Sequence, residues 1–140
     1  MNNQRGYTLL ELMMVVCILG VLSMISMTEY NKVHSRAFIG SAMSDVQLLR
    51  KAISMYDAEW GAFPNGAAND VFTLADQLMD PVGQPYITPP TGNNFADFQY
   101  VPPAAGDDYG DYSLTVTCKD LYRTQITVHH SQDIEMVRQG

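Results

Sequence analysis

The stretch YTLLELMMVVCILGVLSMISMT, residues 7–28, carries a single charged residue, Glu11. At about 1.5 Å rise per residue a helix of this length reaches about 33 Å, close to the roughly 30 Å hydrocarbon core of a bilayer. Such a run is long enough to span a membrane. The carboxylate is then the anomaly, because an ionisable side chain at membrane depth is costly and needs a partner. The run contains no Lys or Arg. The partner must be a terminal amine, another subunit or another protein. Glu11 lies near the start of the run, where the positive end of the helix dipole eases its cost.

Charge elsewhere narrows the classes further. The chain has 15 Asp and Glu against 8 Lys and Arg, a formal net charge of -7. No Lys or Arg occurs between Lys51 and Lys119. Nucleic acid rewards clustered basic residues, so no nucleic-acid partner is expected. The residues beyond the apolar run suffice for one small domain. The two cysteines, Cys17 in the run and Cys118 in an expected strand, are placed too differently to pair within a subunit.

The head is unlike an ordinary secretory signal. One basic residue, Arg5, precedes an apolar run longer than the usual signal core, and no A-x-A site follows. Glu29 and Tyr30 continue the helical pattern. An uncleaved helical anchor is expected, its N-terminus cytoplasmic and its C-terminal domain exported, since Arg5 flanks the N-terminal side.

The string Gly6-Tyr7-Thr8-Leu9-Leu10-Glu11, followed by the uncharged run from Leu12, resembles the class III leader of type IV prepilins and type II secretion pseudopilins. The resemblance implies cleavage after Gly6 by a prepilin peptidase and methylation of the new amine on Tyr7. It also implies that Glu11 meets the N-terminal amine of a neighbouring subunit during filament assembly. Two positions depart from the common pattern. Tyr7 stands where many relatives have Phe, and Thr28 where many have a helix-kinking proline. Gly20 is another point at which the helix can loosen.

Beyond the run, Ala42, Val46, Leu49, Ile53, Tyr56 and Trp60 recur at helical period with polar residues between them. No proline interrupts residues 7–63. One helix of about 50 residues is expected, ended by Gly61 and Pro64. Residues 71–79 suit a short helix before Pro81. Trp60-Gly61-Ala62-Phe63-Pro64 and Asp80-Pro81-Val82-Gly83-Gln84-Pro85-Tyr86 both resemble stretches of major pseudopilins. Residues 87–111 read as loop with a short strand at 98–101. Tyr112, Leu114, Val116 and Cys118 alternate with polar residues, and Tyr122, Thr124, Ile126 and Val128 repeat the period. An antiparallel hairpin turning at Lys119-Asp120 is expected, with residues 134–137 as an edge strand or terminal segment.

The predicted fold is α+β and pilin-like: one long N-terminal helix, transmembrane in its first half, packed on a small C-terminal antiparallel sheet. The expected segments are a leader over 1–6, a transmembrane assembly half-helix over 7–28 and an amphipathic half-helix over 29–62. A variable loop region with a short helix follows over 63–111, then a hairpin and tail over 112–140. Asp107, Asp108 and Asp111 offer oxygen ligands on a loop and suit calcium. A solvated acidic loop is the plainer reading of the same three residues. His129-His130 would point to opposite faces of a strand, a poor arrangement for one metal. No phosphate loop, nucleophile elbow or zinc-protease string is present, and no enzyme is expected.

The resemblance therefore implies a structural filament subunit of a pilus or a secretion pseudopilus, assembled from the inner membrane. Implied partners are further copies of the chain, prepilin peptidase, an inner-membrane platform protein, an assembly ATPase, and minor pilins or pseudopilins. An adhesive, motility or minor pilin is one alternative. A membrane-anchored binding module that never polymerises is another.

Overall fold

The computed structural model describes residues 7–90, 94–104, 110–131 and 133–139. Without a proline to break it, the first helix, α1, runs from Leu9 to Trp60, 52 residues. It remains helical at Gly20 and Thr28. Polar residues within its apolar part are absorbed by the helix itself. The hydroxyls of Ser23 and Ser26 donate to the carbonyls of Leu19 and Leu22 at 2.8 and 2.9 Å. At the far end Gly61 adopts φ +68°, and its N–H donates to the Asp57 carbonyl at 2.8 Å. A residue without a Cβ takes that left-handed conformation freely, which closes the helix.

Residues 1–34 and 35–140 form two units. In the first, the described part of α1 exposes its Leu, Val, Ile and Met side chains throughout. In the second, α1 presents Ala42, Val46, Leu49, Ala52 and Ile53, all fully buried, to a sheet. The expected stripe holds at Ala42, Val46, Leu49 and Ile53. Tyr56 is partly buried, and Trp60 is 51% exposed. Trp60 lies at the helix end, where its indole N–H donates to the Met79 carbonyl at 3.1 Å.

Helix α2 spans Val71–Ala75, shorter than the expected 71–79. Its start is fixed by Asp70, whose carboxylate accepts the Thr73 N–H at 2.8 Å. Its end tightens instead of continuing, because the N–H groups of Gln77 and Leu78 bond back three residues, to Leu74 and Ala75.

The sheet is antiparallel, in the order β1 (Phe95–Val101), β2 (Ser113–Cys118), β3 (Gln125–His129), β4 (Glu135–Val137). Its inner face carries Phe98, Tyr100, Leu114, Val116, Cys118, Ile126 and Val128. Alternation at period two puts these on one side. Cys118 is buried and Cys17 exposed, both free thiols. Burial, then the nearby Asp120 charge, push the Cys118 thiol up to about 11.

Two sequence expectations are corrected here. β1 starts at Phe95, not 98, and forms an edge of the sheet beside β2. The hairpin turn is not a tight one at Lys119-Asp120. Residues 119–124 form a loop before β3 begins, and Tyr122 lies outside the strand. The buried Asp120 organises that loop. Its carboxylate accepts the Thr124 N–H at 2.7 Å, the Thr124 hydroxyl at 2.8 Å and the Tyr122 N–H at 3.3 Å. Local side-chain bonding has displaced the ladder.

Candidate functional site

The apolar segment begins with a capping box. The Glu11 carboxylate accepts the Thr8 backbone N–H at 2.9 Å and the Thr8 hydroxyl at 3.1 Å. In return the Thr8 hydroxyl oxygen accepts the Glu11 backbone N–H at 3.3 Å. The reciprocal Thr-x-x-Glu arrangement satisfies amide donors that have no partner inside the helix. The pattern Thr8-Leu9-Leu10-Glu11 is legible in the sequence as a capping signature before an apolar run, a local role in addition to the expected amine, subunit or protein partner. The structure gives it a partner within its own first turn. The carboxylate stays accessible, as do Tyr7 (89% exposed) and the apolar side chains that follow. Gly6 lies outside the described residues.

The two motif stretches after α1 come together as one unit. The Asp80 carbonyl accepts the Gly83 N–H at 3.0 Å, and its carboxylate accepts the N–H groups of Val82 and Gln84 at 3.0 and 2.6 Å. Asp first, Pro second and Gly fourth are the residues that such a turn favours. The turn is tied to the helix end by Trp60 and by the Tyr86 hydroxyl, which donates to Glu59 at 2.5 Å. Burial foremost, then the bonded and charged Glu59, push the Tyr86 phenol up to about 12.

Of the three expected calcium ligands, Asp107 and Asp108 lie outside the described residues. Asp111 precedes β2 and reaches across to the end of β3. Its carboxylate accepts the His130 N–H at 2.6 Å and the Ser131 hydroxyl at 2.9 Å, and lies 3.9 Å from His129 Nδ1. Among the described residues no three His, Cys, Asp or Glu side chains gather as a metal site. The His130 ring packs on Phe63, centroids 4.9 Å apart, so the two histidines make separate contacts.

Burial pushes the Asp111 carboxyl up. The Ser131 and His130 donors, with the neighbouring imidazoles, outweigh it and hold the group below its ordinary range. A depressed folded-state value means that the unfolded chain takes up the proton first. The contribution is present above about pH 4 and is lost as pH falls further. Urea midpoints at about pH 5 and about pH 3 should therefore separate more for the wild-type chain than for Asp111→Asn. An equal separation would remove Asp111 from the acid response.

The chain is similar in sequence to known proteins. A family profile described as the prokaryotic N-terminal methylation motif matches residues 1–27. The type II secretion system core protein G of Escherichia coli is 28% identical over 114 residues, covering 81% of this chain and 72% of that protein. A fimbrial protein of Pseudomonas aeruginosa is 32% identical over 92 residues, 62% of this chain and 60% of that one. The type IV major fimbrial protein FimA of Dichelobacter nodosus is 40% identical over 50 residues, 36% of this chain and 32% of that one. No solved structure matches significantly. The chain thus carries a prepilin-type N-terminal segment. It is similar beyond that segment to a secretion pseudopilin and to type IV fimbrial subunits.

Proposed function

We infer that the chain is a structural subunit of a filament, of the type II secretion pseudopilus or type IV pilus kind. The observation that carries this is the apolar first part of α1, which is exposed along its described length and begins at one capped carboxylate. An exposed apolar surface of that extent must be covered by something outside the subunit. A bilayer covers it before assembly, and helices of other copies cover it afterwards. The work is polymerisation, not turnover. The inner membrane is the site of anchoring, with residues 35–140 exported.

Prepilin peptidase would cut after Gly6 and leave a methylated amine on Tyr7. A platform protein and an assembly ATPase would drive extraction, with minor pilins or pseudopilins as companions. N-terminal sequencing of protein recovered from its native membrane should begin at Tyr7. Retention of Met1 in otherwise processed material would favour an anchor that never polymerises. The pseudopilin reading is favoured over an adhesive or motility pilin because the likeness to core protein G extends over 81% of the chain. The paired Trp60–Pro64 and Asp80–Tyr86 stretches support it too. Loss of the gene should then abolish secretion through an outer-membrane channel and leave surface motility intact.

We propose calcium at Asp107, Asp108 and Asp111 as a secondary feature, supported by three carboxylates close together in the sequence. The full chain in detergent should melt higher with calcium than with chelator. Equal curves would return the loop to a solvated acidic face.

A further inference from the structure

A groove of about 560 Å³ lies on the second unit, between the Asn69–Phe72 segment and the outer face of the sheet. That is the size range of small-molecule sites. Its floor follows from strand register. Asp97 pairs with Thr117, and Thr117 with Gln125. Two residues along, on the same face, Gln99 pairs with Thr115. Partners across an antiparallel ladder share a face, so short rows of hydroxyl, amide and carboxylate groups cross the sheet. Successive members are set apart by the strand spacing of about 4.8 Å.

The rows face the groove: Asp97, Gln99, Thr115 and Thr117 all line it. Thr117 is 8% exposed, which places its hydroxyl at the groove floor. One wall presents the Phe72 ring, 54% exposed, while Asp70 beside it is spent capping α2. Among the described residues no Lys, Arg or His lines the groove.

This lining selects a ligand class. Without a cation, phosphates, nucleic acids and acidic polymers are disfavoured. A ligand that is itself rich in hydroxyls can both donate to Asp97 and Gln99 and accept from Thr115, Thr117 and the amides. An exposed aromatic ring offers a flat apolar face for the C–H side of a sugar ring. We propose that the groove binds a neutral saccharide, with Thr117, Gln99 and Asp97 holding ring hydroxyls and Phe72 stacking on the ring.

The test uses the full chain in phosphatidylcholine nanodiscs, titrated with cellotetraose, chitotetraose and, as an acidic counterpart, oligogalacturonate. Calorimetry gives affinity, and threonine-methyl and glutamine-amide resonances give location. At least one neutral sugar should saturate with shifts confined to the groove, while oligogalacturonate should not. Thr117→Val, which keeps shape but removes the hydroxyl, and Gln99→Ala should each weaken binding about fivefold without moving Tm. Phe72→Ala should weaken it by a similar factor. No saturation with either neutral sugar, tighter binding of the acidic one, or affinity untouched by Thr117→Val and Phe72→Ala would overturn the assignment. Filament assembly is not read out, so this result and the filament reading stand or fall separately.

Discussion

Glu11→Gln is expected to leave subunit abundance in the membrane normal or raised while filament yield falls, by roughly tenfold if the lost pairing is worth one decade in association. The capping box makes glutamine the informative substitution. A glutamine carbonyl can still accept the Thr8 N–H, as glutamate does at 2.9 Å, because the box works with either residue. The cap survives and the charge does not. Glu11→Ala removes both. If Glu11 serves only to cap the helix, Gln should behave as wild type and Ala should be defective. If it serves to receive the amine of another subunit, Gln and Ala should both fail to assemble. Membrane fractionation and filament counts measured together separate the cases, because removing a costly group from the apolar segment cannot by itself lower insertion. Normal filaments from Glu11→Gln would end the assembly role.

Asp120→Ala is expected to destabilise the second unit by about 3 kcal/mol, since bonds to a charged group are worth about 1.5–3 kcal/mol each and orphaned donors add their own cost. Three donors converge on this buried carboxylate, and two of them belong to Thr124, itself 2% exposed. Water cannot readily replace the lost acceptor there. A domain with a total stability of about 5–15 kcal/mol would show this as a marked drop in urea midpoint. Asp120→Asn keeps one acceptor and should fall between. A midpoint unchanged in Asp120→Ala would mean that the loop at 119–124 is held by the strands alone. Thr124→Val probes the same network from the other side, and its effect should not add to that of Asp120→Ala because the two share a bond.

The long helix, its end at Gly61, the buried faces of β2 and β3 and the apolar N-terminal run were all legible in the residue order. Each rests on local physics: no proline to break the ladder, a Cβ-free residue where φ turns positive, and apolar spacing at 3.6 or 2. Glu11 was legible as a candidate assembly residue. The Thr8–Glu11 box is a further four-residue signal at the same place, a local role that stands beside an amine from another subunit. Other features rest on contacts between segments far apart in the chain. Trp60 and the Asp80–Tyr86 turn meet across about twenty residues, which no periodicity encodes. The extent of β1 was hidden because edge pairing, not hydrophobic alternation, makes Phe95–Asp97 a strand. The hairpin loop was misplaced by one side chain, Asp120, whose bonds to Thr124 outweigh a tight turn. The groove exists because the Asn69–Phe72 segment lies against a sheet whose register lines up Asp97, Thr117 and Gln125. Sequence alone determined what is apolar, what is helical and where one charge interrupts the apolar run, since these follow from each residue and its near neighbours. Tertiary structure decided which polar groups find partners, because a hydrogen bond depends on distances that only the folded chain sets.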